Sequence, residues 1–197
     1  MSINIATLAR MLLRRFWRLI SENIVKGEDL PTVPFNEVQR QQVVNEYGLC
    51  SPEEVAQYNE IVQQAAFVCE TSMALMSICD GTRQFFKARV GIDSNEVPRK
   101  WALCGQAILE PYEVFEIQDA TLDLRFAGNP LVTDEPYIRF YAGVPLVNSE
   151  GYPLGTLCVL DQQPKKLTAD QRLQLKLLTQ ELIVAIEVAQ QSSPPQP

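Results

Sequence analysis

Two stretches, residues 73–90 and 138–161, each consist of a pair of short, apolar-rich runs broken by a tight polar turn. This pattern limits the fold more than any other feature of the chain. In the first stretch, MALMSICD is followed by a turn at Gly81-Thr82-Arg83 and then QFFKARVG. Strand alternation places Phe86, Ala88 and Val90 on one face, and Phe85, Lys87 and Arg89 on the other. In the second, IRFYAGVPLV and YPLGTLCVLD flank a turn at Ser149-Glu150-Gly151. Both stretches predict β-hairpins.

Helical patterns enclose the hairpins. Asn36 as a cap with Gln39 three residues on, and Gly48 as a stop, bracket a short helix over residues 37–47. Ser51-Pro52-Glu53-Glu54 combines a capping box with proline at the first helical position. It predicts a second helix whose buried stripe is Val55, Tyr58, Val62, Ala65 and Cys69. Between the hairpins, WALCGQAIL reads as a short helix, VFEIQDA as a strand and TLDLRFAGNPLVTDEP as a helix-and-loop excursion. A capping box at Thr168-Ala169-Asp170-Gln171 opens a last helix running to about Gln190. Hairpins between flanking helices, in place of repeated βαβ units, imply an α+β fold around a central antiparallel sheet.

Residues 1–36 and 191–197 stand apart from this domain, assigned to 37–190. Residues 5–20 place Ile5, Leu8, Leu12, Phe16 and Leu19 on one side of a helical wheel and Arg10, Arg14, Arg15 and Arg18 on the other, with Trp17 near the boundary. The arginines break the run, so neither a spanning helix nor a signal peptide fits. The expected roles of this basic amphipathic helix are contact with a membrane surface, or docking on the domain or another protein. A Pro-containing linker follows, and the tail QSSPPQP is too polar to fold.

Charge and rare residues narrow the function. The net charge is -7, yet residues 1–20 carry four arginines and no acid, so the body is strongly acidic and nucleic acid is not an expected partner. The chain has no histidine, which excludes His-based triads, His-ligated haem and most zinc or iron sites. Cys50, Cys69, Cys79, Cys104 and Cys158 are odd in number and lack a C-x-x-C spacing. They read as reduced core residues of a cytoplasmic protein, and no metal or cofactor is expected.

The segments NEYGL, TSMALMSICDGTRQFFKARVGID, LCGQAIL, IQDATLDLRFAGNP, IRFYAGVPLVNSEGYPLGTLCVLD and LTADQRLQLKLLTQEL, in this order and spacing, resemble the GAF domains found upstream of histidine kinase or diguanylate cyclase modules. The likeness covers about three quarters of the chain. It implies a sheet with the N- and C-terminal helices packed on one face, and on the other a ligand cavity roofed by residues 99–109 and 119–136. It also implies homodimerisation through the first and last helices. The function it implies is non-catalytic sensing of a small molecule or partner chain. The output would be an external protein such as a kinase or cyclase of a two-component or related system, in the cytoplasm or at the inner face of the membrane.

Within that frame the expected ligand-binding residues are Phe86, Trp101, Cys104, Phe115, Arg139 and Tyr141. Arg139 and Tyr141 alternate with Ile138, Phe140 and Ala142, so one strand face presents a cation and a phenol. Arg139 would hold an anionic ligand group, or pair with Asp119 or Asp123 to pin the roof. The position matching Cys104 is usually followed two residues later by histidine in this subfamily. Here Gln106 stands there, and no covalent chromophore is expected. Asp119, Asp123, Arg125 and Asn129 read as loop-fixing residues, and Asp134-Glu135 as a coincidental echo of cyclic-nucleotide-binding relatives.

One alternative is a thiol enzyme like the related free-methionine-sulfoxide reductases, using Cys104, although no cysteine lies between Cys104 and Cys158 where a partner would be expected. Another is a degenerate scaffold held at a membrane by residues 5–20.

The last helix carries two apolar stripes. One is Leu173, Leu177, Val184 and Val188; the other includes Leu175, Leu178, Leu182 and Ile186. A helix lying on a sheet needs only one. The second stripe therefore implies a partner helix, either the domain's own helix at 52–70 or its copy in a dimer, or both; Leu175, Leu178, Leu182 and Ile186 are assigned to a dimer interface.

Overall fold

The computed structural model describes residue 34 and residues 36–192. The basic helix expected at 5–20 and residues 193–197 of the tail lie outside them. The elements are α1 (Glu37–Glu46), a 3-10 turn (Ala56–Tyr58), α2 (Asn59–Cys69), β1 (Met73–Cys79), β2 (Arg83–Val90), β3 (Glu96–Pro98), a second 3-10 turn (Arg99–Trp101), α3 (Cys104–Ala107), β4 (Phe115–Ile117), α4 (Pro130–Thr133), β5 (Phe140–Val147), β6 (Pro153–Asp161) and α5 (Ala169–Ser192). The strands form one sheet in the order β3-β2-β1-β6-β5-β4. Every pairing is antiparallel, and both expected hairpins are present.

The sheet is covered on both faces, and strand alternation sorts its side chains. Ala74, Met76, Ile78, Phe140, Ala142, Leu157 and Val159 face a core shared with α1, α2 and α5. Leu75, Cys79, Phe86, Tyr141, Cys158 and Leu160 face a second core closed by residues 103–138. The second layer is the roof implied by the sequence.

The capping box of α5 forms in full. Thr168 Oγ1 accepts from the Gln171 amide at 3.1 Å, and Gln171 Oε1 accepts from the Thr168 amide at 3.0 Å. The helix then lays Leu175, Leu178, Leu182 and Ile186 into the core, all buried. Each such side chain contributes about 1.5–3 kcal/mol, so these residues serve the chain's own fold. The assignment of this stripe to a dimer interface is corrected accordingly. The stripe facing outward is the other one, with Leu173, Leu177, Val184 and Val188 each about half exposed.

Four local expectations also change. The Asn36 side chain does not cap α1; its carbonyl accepts the Arg40 amide instead. The helix expected at Ser51-Pro52-Glu53-Glu54 does not start there. Val55 is extended, and its amide donates to the Lys87 carbonyl at 2.7 Å. The Lys87 ammonium in turn donates to the Ser51 hydroxyl and carbonyl at 3.1 and 3.2 Å. Residues 51–55 thus run along the edge of β2 with the capping hydroxyl diverted, and α2 begins at Asn59.

In the first hairpin, Met76 lies opposite Ala88 and Ser77 opposite Phe86, leaving Lys87 as an extra residue in a β-bulge. The alternation therefore flips, sending Phe86 to the roof side and Ala88 to the helix side. A similar break precedes β5. Tyr137 has φ +56°, the strand starts at Phe140, and Ile138 joins Tyr141 in the roof-side core while Phe140 and Ala142 face the helices.

Candidate functional site

The roof-side layer gathers polar groups that a purely structural core does not need. On adjacent strands, the Gln84 amide nitrogen donates to Ser77 Oγ at 2.5 Å, and Ser77 Oγ lies 3.0 Å from Thr156 Oγ1. Next along β6, Cys158 faces the roof and its sulfur lies 3.7 Å from that of Cys104, the first residue of α3. The Tyr141 ring extends along β5 over Gly143, and it packs on Phe115 with centroids 6.0 Å apart. This carries the phenol toward Cys104, Cys158 and Thr156.

Several of these groups are unpaired. Gln84 Oε1 and Tyr141 OH in this layer, and Nε and Nη2 of Arg99 beside the β1–β2 turn, are buried without a hydrogen-bond partner among the described residues. The Tyr141 hydroxyl is near Thr156 and the two sulfurs, but meets none of them in good hydrogen-bond geometry. Its ionisation is pushed well above the ordinary phenol range by burial and by the adjacent thiols. Burial alone would raise the Cys104 thiol, yet the polar groups close around its sulfur, the Cys158 thiol first, then the hydroxyls of Thr156, Tyr141 and Ser77, outweigh it and bring the group down. Cys158 is raised, by burial and by Cys104. The two sulfurs titrate as one unit, so the first proton lost belongs to the pair.

The sequence-predicted residues are only partly brought together. Phe86, Cys104 and Tyr141 are buried in the roof-side core, and Phe115 packs against it. Trp101 is half-buried in the roof backbone, its carbonyl accepting from Asn129 Nδ2 at 2.9 Å. Arg139 donates to the carbonyls of Val132 and Ile138 at 2.8 and 3.1 Å. It holds the end of α4 through the backbone, not through an aspartate: Asp119 bonds Thr121, and Asp123 bonds Arg125. The cavity implied by the resemblance is occupied by Leu103, Ile108, Phe126, Val132 and their neighbours. Open clefts of about 340 and 780 Å³ lie at the outer edge of the sheet, around Glu116 and Gln118 of the β4 segment. Among the described residues, no three His, Cys, Asp or Glu side chains converge on a metal-sized site.

A second cluster had no sequence signal. Arg40, fully buried, grips Glu37 through two hydrogen bonds of 2.7 and 2.8 Å and donates to the Cys79 carbonyl at 2.8 Å. Arg99, in the first turn of the roof, donates to the same Glu37 carboxylate and to the Asp80 carbonyl. Glu37 therefore ties α1 to the roof. Burial would raise its pKa, but the hydrogen bonds from Arg40 and Arg99 prevail and hold it below the usual value. A glutamate three residues before an arginine is an ordinary surface pairing, so nothing in the sequence marks this one as a link between two layers.

The sequence profile of the GAF domain family matches residues 53–186. A cyclic di-GMP phosphodiesterase of Pseudomonas aeruginosa is 45% identical over 135 residues, 68% of this chain and 23% of that protein. The chain thus spans about a quarter of that relative's length. The GAF domain of an Acinetobacter phosphoenolpyruvate-protein phosphotransferase superposes with a TM-score of 0.60 at 19% identity, covering 81% of this chain and 96% of that one. A free methionine-R-sulfoxide reductase of Neisseria meningitidis does so with 0.58 at 16% identity, covering 79% and 89%. At those identities the two structures attest the fold alone.

Proposed function

The chain belongs to the GAF domain family, and on that premise we propose that it is a non-catalytic sensory module whose roof-side layer binds a small polar molecule and whose helices pass the bound state to a partner. The observation that carries this reading is Arg99. Its Nη1 holds Glu37 of α1, while its buried Nε and Nη2 have no partner among the described residues. Buried donors left unpaired cost about 1–3 kcal/mol each. A ligand offering acceptors to Arg99 would recover that cost only if the roof lifted to admit it. Lifting the roof moves Arg99, and with it the grip on α1.

The helix layer supplies the output. Leu173, Leu177 and Val184 of α5 face outward, which supports self-association through this helix and a register that responds to α1. The relative named as a cyclic di-GMP phosphodiesterase supports an output in cyclic-dinucleotide signalling, through an enzyme module attached to or contacted by this one. A histidine kinase is the other output the family suggests. No described helix is long and apolar enough to cross a membrane. Residues 5–20 give the module a basic amphipathic segment suited to contact with an anionic membrane surface in the cytoplasm.

The reductase alternative gains a partner thiol, since Cys158 lies beside Cys104. Both sulfurs are sealed beneath the roof, an arrangement that favours regulation over turnover of a free substrate.

A native mass spectrum of the full chain tests the sensory reading. The expected result is a dimer or a retained small-molecule mass. A bare monomer at micromolar concentration would overturn it.

A further inference from the structure

Of the cysteines in this chain, Cys104 and Cys158 stand in a relation the others do not share. Their sulfurs are in van der Waals contact at 3.7 Å, one on the roof and one on the sheet. Cys158 lies between Leu75 of β1 and Gly143 of β5 in the sheet register, and the Tyr141 ring fills the space over Gly143 beside it. The Ser77 and Thr156 hydroxyls and the Tyr141 phenol surround the pair. We propose that this pair is an oxidation site, where Cys104 and Cys158 form a reversible disulfide that ties the roof to the sheet. The inference goes beyond ligand binding and stands whether or not a ligand occupies the same layer.

A disulfide bond is about 2 Å long, so the sulfurs must approach by roughly 1.7 Å, a distance that rotation about χ1 covers. The oxidant that fits is a small peroxide. Hydrogen peroxide is little larger than water and needs only a brief opening of the roof, whose elements α3 and α4 are single turns. The Cys104 thiolate attacks one peroxide oxygen and the O–O bond breaks. The departing oxygen takes up a proton and leaves as water, while the other remains on Cys104 as a sulfenic acid. The Cys158 sulfur then attacks Cys104, the S–S bond forms and the S–O bond breaks. The second oxygen leaves as water with the thiol proton of Cys158. Two electrons have passed from the two sulfurs to the peroxide, and a dithiol reductant reverses the bond by exchange.

The surroundings favour this pair over the other thiols. Burial raises Cys50 and Cys69 to about 11 and Cys79 to about 12, whereas in the Cys104–Cys158 pair one thiol is lowered while the other is raised. Cys69 is also on the opposite face of the sheet. Cys79, in the same layer as Cys104, is the competitor the test must separate. The disulfide would hold the roof down close to Arg99, fixing the segment that grips Glu37.

The reduced full-length protein is exposed to a modest excess of hydrogen peroxide, denatured in N-ethylmaleimide, digested and mapped by mass spectrometry. The expected product is a Cys104–Cys158 linked peptide that dithiothreitol abolishes, with Cys50 and Cys69 alkylated. Amide exchange across residues 99–109 slows in the oxidised protein, and the link persists in a Cys79→Ala variant. The proposal is overturned if all five cysteines remain alkylated, if Cys104 is linked to Cys79, or if Cys104 reaches the sulfinic acid while Cys158 stays a thiol.

Discussion

The phenol of Tyr141 lies over the α-carbon of Gly143, two residues along the same strand, so closely that a methyl group there would overlap its hydroxyl and ring. Gly143 is therefore a requirement of Tyr141. Gly143→Ala is expected to destabilise the fold by about 1–3 kcal/mol through overpacking. Tyr141→Phe removes a buried hydroxyl that has no partner among the described residues and should change stability by no more than about 1 kcal/mol. In urea unfolding, the double variant should lose less than the sum of the two single changes. Strict additivity would show that the two sites do not touch.

The Glu37 carboxylate balances Arg40 and Arg99, both buried. Glu37→Gln leaves those guanidinium groups without a counter-charge and should cost on the order of 3 kcal/mol. The pH dependence follows from the lowered folded-state pKa. The contribution of Glu37 is fully present above its unfolded value, near 4.5, and is lost as the pH falls through the lower folded value. Thermal melts between neutral pH and pH 3 should show wild type and Glu37→Gln converging in acid. A gap of constant size would contradict the assignment.

Thr168→Ala removes one half of the reciprocal cap at the start of α5. The expected loss is about 1 kcal/mol, read from the denaturation midpoint with an unchanged slope. Serine at this position should restore most of the stability, because it supplies the same oxygen.

Leu177 and Val184 face away from the core on α5. Leu177→Glu and Val184→Glu should leave stability within about 0.5 kcal/mol of wild type. They should shift sedimentation toward the monomer. Leu182→Ala serves as the contrast: this side chain is fully buried, so its removal should cost about 2–5 kcal/mol. Unchanged self-association in both glutamate variants would remove this face from the proposed interface.

Much of the architecture was legible because it is written in local chemistry. The two hairpins follow from short alternating runs around turn residues, and α5 follows from Thr168 and Gln171, whose mutual hydrogen bonds need no other part of the chain. The ordered set of segments led to the GAF family. Phe86, Cys104 and Tyr141, expected to touch a ligand, are buried in the roof-side core with Phe115 packed against it, Phe86 reaching that side only through the bulge in β2.

What the tertiary structure decided lies at contacts between residues far apart in the chain. A capping signal at Ser51 lost to the Lys87 ammonium and carbonyl, because a buried amine takes whichever oxygens the neighbouring strand brings near. The bulge at Lys87 reversed the facing of one half of β2, since a single extra residue shifts a period of two. Of the two apolar stripes on α5, the one assigned from the sequence to a dimer interface is the one the sheet and α2 bury, because apolarity alone does not say which neighbour covers it. Cys104 and Cys158, 54 residues apart, meet at 3.7 Å only because α3 is folded down on β6. By itself the sequence determined which elements form and to which family they belong, since propensity, capping and alternation act over a few residues. The partners of Arg99, Cys104 and Tyr141 were left to the packed fold, where burial removes water and makes each remaining neighbour count.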